Sequence, residues 1–180
     1  IEKRASRGFG LFRGLAEAGN LLVYGLILRP CLLPSFFNRR FRKEDPWGYN
    51  KSPYEQRKYA LMLAILPRKK DGDAPPYRHA LDLGCAEGLF TRRLVEEGVV
   101  ARATGVDFSS RALARARERS EGLPLEYLEI DIGEELPDGT YDLVFCSEVL
   151  YYLGYGRLKR LPERLAKRLE PSGHLVLVSA

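Results

Sequence analysis

The chain has 180 residues, of which 45% are hydrophobic and 29% charged, and its formal net charge is +5. This length and composition predict one globular domain with a sizeable core and an attached segment. The three cysteines, Cys31, Cys85 and Cys146, fit no metal-ligand spacing and leave one over if paired, so they are predicted to be reduced thiols of a cytoplasmic protein. Since the sequence has only two histidines, we expect no metal centre.

The positive charge is concentrated at the front of the chain. Residues 1–43 hold nine lysines and arginines against two glutamates, whereas the rest of the chain is nearly balanced. This segment also contains the apolar stretch NLLVYGLILRPCLLPSFF, which Arg29, Pro30 and Pro34 interrupt before it reaches the ~20 residues that a membrane-spanning helix needs. Such a segment suits a peripheral contact with an anionic membrane surface. The alternative is a solvated basic flank whose helix packs on its own domain or on a partner.

A helix and a linker are predicted for residues 44–76. Tyr59, Leu63 and Leu66 recur at spacings of four and three, as on one face of a helix, and Pro67 ends the pattern. The polar, proline-bounded stretch RKKDGDAPP then indicates a loop. We therefore expect a helical segment between the basic front and the main domain.

Residues 77–180 alternate between strand and helix patterns. The predicted strands are HALDLG, ARATGVDF, LEYLEIDI, YDLVFCSE and HLVLVS, and the predicted helices are TRRLVEEG, SRALARARERS and LKRLPERLAKRL. This alternation is typical of βαβ units, whose crossovers are right-handed. The sequence therefore predicts an α/β fold with a doubly wound, mostly parallel sheet that ends after the fifth strand.

The first predicted strand runs into a turn of small residues, with Gly84, Ala86 and Gly88 at alternate positions. In parallel sheets ligands bind beyond the carboxyl ends of the strands, so a ligand can approach the backbone of this turn closely. Asp107 closes the second predicted strand, where its carboxylate can accept hydrogen bonds from the vicinal hydroxyls of a ribose. Asp131 closes the third predicted strand in the same way.

The charges around this turn point to a cationic ligand. A pyrophosphate-binding turn has the spacing G-x-G-x-x-G and a helix N-terminus without nearby negative charge. Here the glycine spacing differs, and two acids, Asp82 and Glu87, flank the turn. A carboxylate at Asp82 suits an amino-acid ammonium group. S-Adenosylmethionine combines that group with a ribose and an adenine, and we therefore predict it as the cofactor.

These residues resemble the class I S-adenosylmethionine-dependent methyltransferases over about residues 77–180. The resemblance implies that Gly84 and Gly88 line the methionine and ribose, that Asp107 holds the ribose hydroxyls, and that Asp131 with Ile132 borders the adenine. Ala86 departs from the commonest family pattern, which has glycine there. The family's sheet has seven strands, so we expect the C-terminal strands to be missing here. The cofactor-binding residues that the resemblance implies in this domain are Asp82, Gly84, Cys85, Ala86, Gly88, Asp107, Phe108, Asp131, Ile132 and Ser147.

A more specific resemblance rests on three stretches, DPWGYNKSPYEQRKYALMLAILP, LGCAEG and SEVLYYL. Together they are similar to the nodulation N-methyltransferase group, whose founding members methylate the amino-sugar nitrogen of a chitooligosaccharide. The resemblance implies that Trp47, Tyr54, Arg57 and Tyr59 form a front lid over the cofactor, with Arg57 a candidate partner for its carboxylate. The alternative for Trp47 and the tyrosines is ordinary helix packing.

The stretch CSEVLYYLGYG follows the fourth predicted strand and places Ser147 and Glu148 at the strand-to-helix turn. A protonated amine has no lone pair with which to attack a methyl group, so Glu148 is the candidate catalytic residue that takes or holds its proton. The alternative is a surface acid that caps a helix. The neighbouring tyrosines suit either contact with a sulfonium or sugar, or a core aromatic cluster.

The sequence therefore predicts an enzyme that transfers a methyl group from S-adenosylmethionine to a nitrogen or oxygen of a small molecule, with an amino sugar or glycoconjugate as one candidate. Two alternatives stay open. The basic front suggests an RNA methyltransferase, but the charge is not interleaved with stacking aromatics, which disfavours nucleic acid. The apolar basic front also suits a non-catalytic, membrane-associated protein that keeps the cofactor fold.

Overall fold

The computed structural model of the protein describes residues 34–68 and 72–179. The chain divides into two compact units, residues 1–37 and residues 38–180. Helix α1 (Pro34–Arg40) begins the described part. Most of the apolar stretch and Cys31 lie outside the described residues. Among the helices of the described ranges, none has the length and apolar character needed to cross a membrane.

Helix α2 (Pro53–Ala64) is the predicted front helix. The Ser52 side chain accepts a hydrogen bond from the backbone N–H of Glu55 at 3.5 Å, and Pro53 fits the first helical position, where its missing N–H costs nothing. Tyr59, Met62 and Leu63 are buried, as the predicted spacing requires. The front helix therefore has the predicted inner face.

The described residues form a parallel sheet of five strands in the order β3-β2-β1-β4-β5, which confirms the predicted α/β class. The strand bounds are β1 (Tyr77–Leu83), β2 (Val100–Asp107), β3 (Leu125–Glu129), β4 (Tyr141–Ser147) and β5 (Leu169–Val178). Three crossover helices connect them, α3 (Leu89–Glu96), α4 (Ser110–Arg119) and α5 (Tyr155–Ala166). Because β1 pairs with both β2 and β4, the chain order reverses between β1 and β4. Such a reversal is where open α/β sheets bind ligands.

Strand β3 is shorter than predicted. Its pairing with β2 ends where Glu129 lies opposite Asp107, so Asp131 does not close the strand. Instead, the Asp131 side chain accepts a hydrogen bond from the backbone N–H of Gly133 at 2.8 Å. Aspartate favours this local turn over a continued strand, and Asp131 therefore belongs to the loop after β3.

The central strand β1 is buried on both faces, as parallel strands usually are. Ala80 belongs to one apolar cluster, which includes Leu63 of α2. Leu81 and Leu83 belong to another, which includes Leu161 of α5. The strand end that carries the candidate site is therefore held in place by packing on both faces.

Gly88, in the turn after β1, could not be replaced by another residue without strain, for two reasons. Its φ is +71°, and a Cβ there would lie 2.8 Å from Cζ of Tyr127 and 2.9 Å from Cβ of Ala116. The backbone of this turn therefore packs directly against α4 and β3.

We expect Gly88→Ala to lower the free energy of unfolding by ~3 kcal/mol, because it combines a left-handed backbone with a steric clash. Gly122→Ala is the matched control, since Gly122 has φ +80° but no atom within 4 Å of the position that a Cβ would take. The control should lose only the conformational part, ~1 kcal/mol. Urea denaturation measures both variants, and equal losses would contradict the packing explanation.

Candidate active site

A cavity lies at the carboxyl ends of β1 and β4, where the chain order reverses. Its volume is about 50 Å³. The wall combines the end of β1 and its glycine turn, the end of β4, and residues of the front segment around α2. The lining residues are Asp45, Tyr49, Asn50, Lys58, Tyr59, Met62, Asp82, Gly84, Cys85, Ala86, Glu87, Leu89, Phe90, Ser147 and Glu148.

Backbone strain is concentrated at this cavity. Within the described residues, the non-glycine residues with positive φ are Asp45 at +46°, Ala86 at +49° and Glu148 at +56°, and all three line the cavity. Such conformations cost free energy and persist where the surrounding structure holds them, which is common at functional sites. The three residues come from different parts of the chain. The strain therefore marks this cavity, independently of its position at the sheet edge, as a candidate functional site.

Asp82 is a buried acid inside β1, with 5% of its surface exposed. Its Oδ2 accepts a hydrogen bond from the Thr91 hydroxyl at 2.6 Å, which links the strand to the first turn of α3. Burial, with a smaller contribution from the nearby Asp107 carboxylate, raises the pKa of Asp82 to about 6 even though the Thr91 hydrogen bond opposes the shift. Among the described residues no positive charge compensates the ionised form of Asp82, which a cationic ligand would therefore stabilise.

Asp107 ends β2 and holds the glycine turn. Its Oδ2 accepts from the backbone N–H of Ala86 at 3.0 Å, and its Oδ1 accepts from that of Ser109 at 2.9 Å. Burial raises the pKa of Asp107 to about 6, although these backbone hydrogen bonds and one from Phe108 oppose the shift. A carboxylate has about four acceptor positions, so Asp107 retains capacity for further donors such as ribose hydroxyls.

The loop before α2 and the inner side of α2 contribute aromatic side chains to the cavity wall. The Tyr59 ring stacks on Phe90 with 5.4 Å between centroids, and Tyr49 lies on the same side of the cavity. Gln56 braces the loop before α2, because its side-chain amide donates to the Tyr49 carbonyl at 2.8 Å. Burial, first of all, raises the pKa of both Tyr49 and Tyr59 well above that of a free phenol, so both hydroxyls are neutral.

Glu148 follows Ser147, the last residue of β4, and both line the cavity. Its backbone N–H donates to the Val178 carbonyl of β5 at 2.9 Å, and its Oε2 accepts from the Tyr151 hydroxyl at 3.2 Å. A Cβ at Gly84 would lie 2.8 Å from Cγ2 of Val149, so the turns after β1 and β4 pack closely. Glu148 is therefore fixed at the cavity wall, beside the glycine turn.

Comparison with known proteins places the chain in a family. The profile of the nodulation protein S (NodS) family matches residues 34–180. The chain belongs to the NodS family. It is 32% identical over 145 residues to nodulation protein S of Sinorhizobium fredii, covering 79% of this chain and 64% of that protein. It is 35% identical over 134 residues to a trans-aconitate 2-methyltransferase of Acidovorax ebreus, covering 74% of this chain and 48% of that protein.

A solved structure shares the fold. The N-methyltransferase NodS from Bradyrhizobium japonicum, in complex with S-adenosyl-L-homocysteine, superposes with a TM-score of 0.66 and 29% identity, over 77% of this chain and 68% of that one. This agreement confirms the Rossmann-like class I methyltransferase fold predicted from the sequence. The chain spans less than two thirds of the length of the nodulation protein S relative from Sinorhizobium fredii.

The structure separates three of the predicted lid residues from the cavity. Trp47 packs edge-on against Phe41 with 5.0 Å between ring centroids, and its ring also stacks on that of Tyr49 at 5.9 Å. Tyr54 is 60% exposed, and Arg57 is exposed on the same outer side of α2. None of these three residues lines the cavity. Lys58, next to Arg57, lines it instead.

The positions of the residues around the axis of α2 explain why Lys58 lines the cavity and Arg57 does not. Arg57 lies two residues before Tyr59, about 200° around the helix, and therefore faces away from it. Lys58 and Met62 lie on the inner side with Tyr59. The predicted spacing of Tyr59, Leu63 and Leu66 contained this signal, because it already fixed the inner face.

Of the remaining predicted residues, Cys85 lines the cavity, whereas Asp131 and Ile132 do not. Cys85 is buried, and burial raises the pKa of its thiol well above the usual value. Ile132 is in the core cluster with Leu161. Asp131 lies 3.4 Å from Arg157, in the loop after β3. In the described ranges, no group of three or more His, Cys, Asp or Glu side chains could hold a metal ion.

We expect Asp82→Asn to stabilise the ligand-free protein. The folded state binds the Asp82 proton more tightly than the unfolded chain does, so ionisation between pH ~4 and pH ~6 destabilises the fold. Asn cannot ionise but still accepts from Thr91. Since one pKa unit corresponds to ~1.4 kcal/mol, the variant should gain ~2 kcal/mol or more at pH 7.5 and almost nothing at pH 4. Thermal unfolding at the two pH values measures this, and an equal change in stability at both would contradict it.

Proposed function

We propose that the protein is an S-adenosylmethionine-dependent methyltransferase that acts on a nitrogen or oxygen of a small molecule. The observation that carries the proposal is the pair of buried carboxylates, Asp82 and Asp107, on neighbouring parallel strands. They flank the glycine turn at the point where strand order reverses. The proposal is supported by the NodS structure from Bradyrhizobium japonicum, which holds S-adenosyl-L-homocysteine.

The described residues suit each part of this cofactor. The raised pKa of Asp82 means that burial destabilises its ionised form, and a neighbouring ammonium group would stabilise that form. Lys58 is the basic residue of the cavity wall, and it suits the methionine carboxylate. Asp107 suits the ribose hydroxyls, while Asp131 and Ile132 lie beyond it along the sheet edge. When bound, S-adenosylmethionine would supply an electrophilic methyl group on its sulfonium.

The loop before α2 and the inner side of α2 must shift to admit a molecule of the size of S-adenosylmethionine. The cavity of about 50 Å³ is close to the volume of one or two water molecules, whereas ligand sites usually have ~300 Å³ or more. Tyr49, Lys58 and Tyr59 line the cavity from the front. We therefore assign the loop before α2 and the inner side of α2 the role of a lid. The residues that we assign to this lid differ in part from those that the family resemblance implies.

In the proposed mechanism, Glu148 contacts the methyl acceptor. Methyl transfer is an in-line displacement, so alignment of the acceptor with the methyl group contributes ~7 kcal/mol or more to lowering the barrier. Glu148 lines the cavity together with the turn that would hold the cofactor, and its strained backbone is hydrogen-bonded to β5. Its carboxylate can take the proton of an amine acceptor or hold the amine in line.

An amino sugar or glycoconjugate is the acceptor class that we propose. The Glu148 carboxylate suits an amine, and Tyr151 and Tyr152, whose rings pack with 4.4 Å between centroids, suit a sugar face.

We also propose that residues 1–43 make a peripheral contact with an anionic membrane. Arg39, Arg42 and Lys43 are exposed at the end of that segment, which supports the contact.

The test is transfer of a labelled methyl group from S-adenosylmethionine to a panel of amino sugars, lipid-linked sugars and RNA. We expect transfer to an amino sugar. Glu148→Gln should then lower the rate ~100-fold near neutral pH, and the deficit should shrink as the pH rises and the amine deprotonates in solution.

Glu163→Gln is the control, since Glu163 is an exposed residue of α5 that pairs with Lys167 at 3.0 Å. A Glu148→Gln rate equal to that of the wild type at every pH would remove Glu148 from the chemistry. Absence of S-adenosylmethionine binding, together with tight binding of NAD, would overturn the proposed function itself.

A further inference from the structure

Asp45 brings a further carboxylate to the cavity, from the loop before α2. It lines the cavity with a left-handed backbone, φ +46°. Its Oδ2 accepts a hydrogen bond from the backbone N–H of Asn50 at 3.0 Å. Its Oδ1 is buried and accepts no hydrogen bond from any residue that the structure describes. A buried, unpaired carboxylate oxygen is unfavourable in a folded protein, and it needs a specific explanation.

Asp45 is held in this position by a buried ion cluster. Its backbone N–H donates to Oε1 of Glu87 at 3.1 Å. Glu87, which is 5% exposed, pairs with Arg115 at 2.6 Å and with Arg119 at 2.5 Å. Arg115 also donates to the carbonyl of Phe41 at 2.7 Å. The unpaired oxygen therefore belongs to a loop fixed to the glycine turn.

The charge of Glu87 is thus compensated within the protein. The sequence alone groups Glu87 with Asp82 as an acid that flanks the ligand turn, but two arginines neutralise it. Its role is to position the front loop against the turn. Unlike Glu87, Asp45 has a carboxylate oxygen, Oδ1, that accepts no hydrogen bond from the described residues. No sequence pattern singles out Asp45.

Asp45, Asp82 and Tyr59 all line the cavity. Burial raises the pKa of Tyr59, and neighbouring acidic groups, including Asp82 and Asp45, raise it further. Lys58 is the basic residue among the cavity-lining residues, and it is paired with Glu55 at 2.8 Å. The cavity lining therefore has an excess of negative charge, which a small cation would neutralise.

We infer that Asp45 binds, together with Asp82, the ammonium group at the amino-acid end of the cofactor, and that Glu87 positions Asp45 for this contact. The inference rests on the proposed function. An ammonium group has three donors, so it can satisfy the unpaired Oδ1 of Asp45 and an oxygen of Asp82 at once. The cofactor's amino group thereby ties the front loop to β1.

The experiment compares two ligands in calorimetry, S-adenosylhomocysteine and its analogue without the amino group. We expect wild-type protein to prefer S-adenosylhomocysteine, and Asp45→Asn to reduce that preference ~10-fold by weakening only the ligand with the ammonium. Asp73→Asn, at an exposed residue of the loop before β1, should leave the preference unchanged.

Glu87→Gln tests the positioning role with the same ratio. It should reduce the preference for the amino group, whereas Glu96→Gln, which removes an exposed pair with Arg92, should not. Equal weakening of both ligands by Asp45→Asn, or no weakening of either, would overturn the inference while the proposed function stands. If wild-type protein binds neither ligand, the proposed function fails instead.

Discussion

The burial of two carboxylates at adjacent strand ends is the constraint on which the rest of the site depends. An ionised acid in the interior of a parallel sheet is costly unless partners compensate it. Asp82 has the Thr91 hydroxyl, and Asp107 has backbone N–H groups from the turn after β1 and from its own loop. These bonds do not restore an ordinary pKa to either acid. The protein therefore keeps two groups that a cationic ligand stabilises.

The fold supplies the geometry that this pair needs. Strand β1 is central, so its end is fixed by packing on both faces, and its two neighbours bring Asp107 and Glu148 to the same edge. The turn after β1 can pass close to β3 and α4 because Gly88 has no side chain. Ala86, which has a positive φ, accepts the strain that the usual glycine would avoid, and its N–H bonds to Asp107. Strain and hydrogen bonding are thus combined in one turn.

The loop before α2 is joined to this arrangement through charges that are compensated within the protein. Glu87 extends from the turn to Arg115 and Arg119 of α4, and Asp45 binds to it through the backbone. This cluster makes the position of the loop depend on the turn.

The sequence predicted what depends on periodicity and missed what depends on loop conformation. Alternating patterns predicted the sheet, and the strand-end position of Asp82 and Asp107 predicted a site at its edge. The spacing around Tyr59 predicted the inner face of α2, yet the family resemblance favoured Arg57, which lies on the outer face. Asp45 could not be found, because its role depends on a positive φ and on contacts with Glu87, 42 residues away. The end of β3 was placed too late because the local turn at Asp131 competes with strand pairing.

The pH dependence of cofactor binding tests the role of the buried carboxylates most directly. Calorimetric titration with S-adenosylhomocysteine near pH 6, in buffers of different ionisation enthalpy, measures the protons exchanged on binding. Asp82 has a pKa of about 6 without ligand, and an ammonium group beside it should lower that value. We therefore expect that binding releases protons and that affinity rises between pH ~5 and pH ~7.5. Affinity that is independent of pH, with no proton release, would contradict this role.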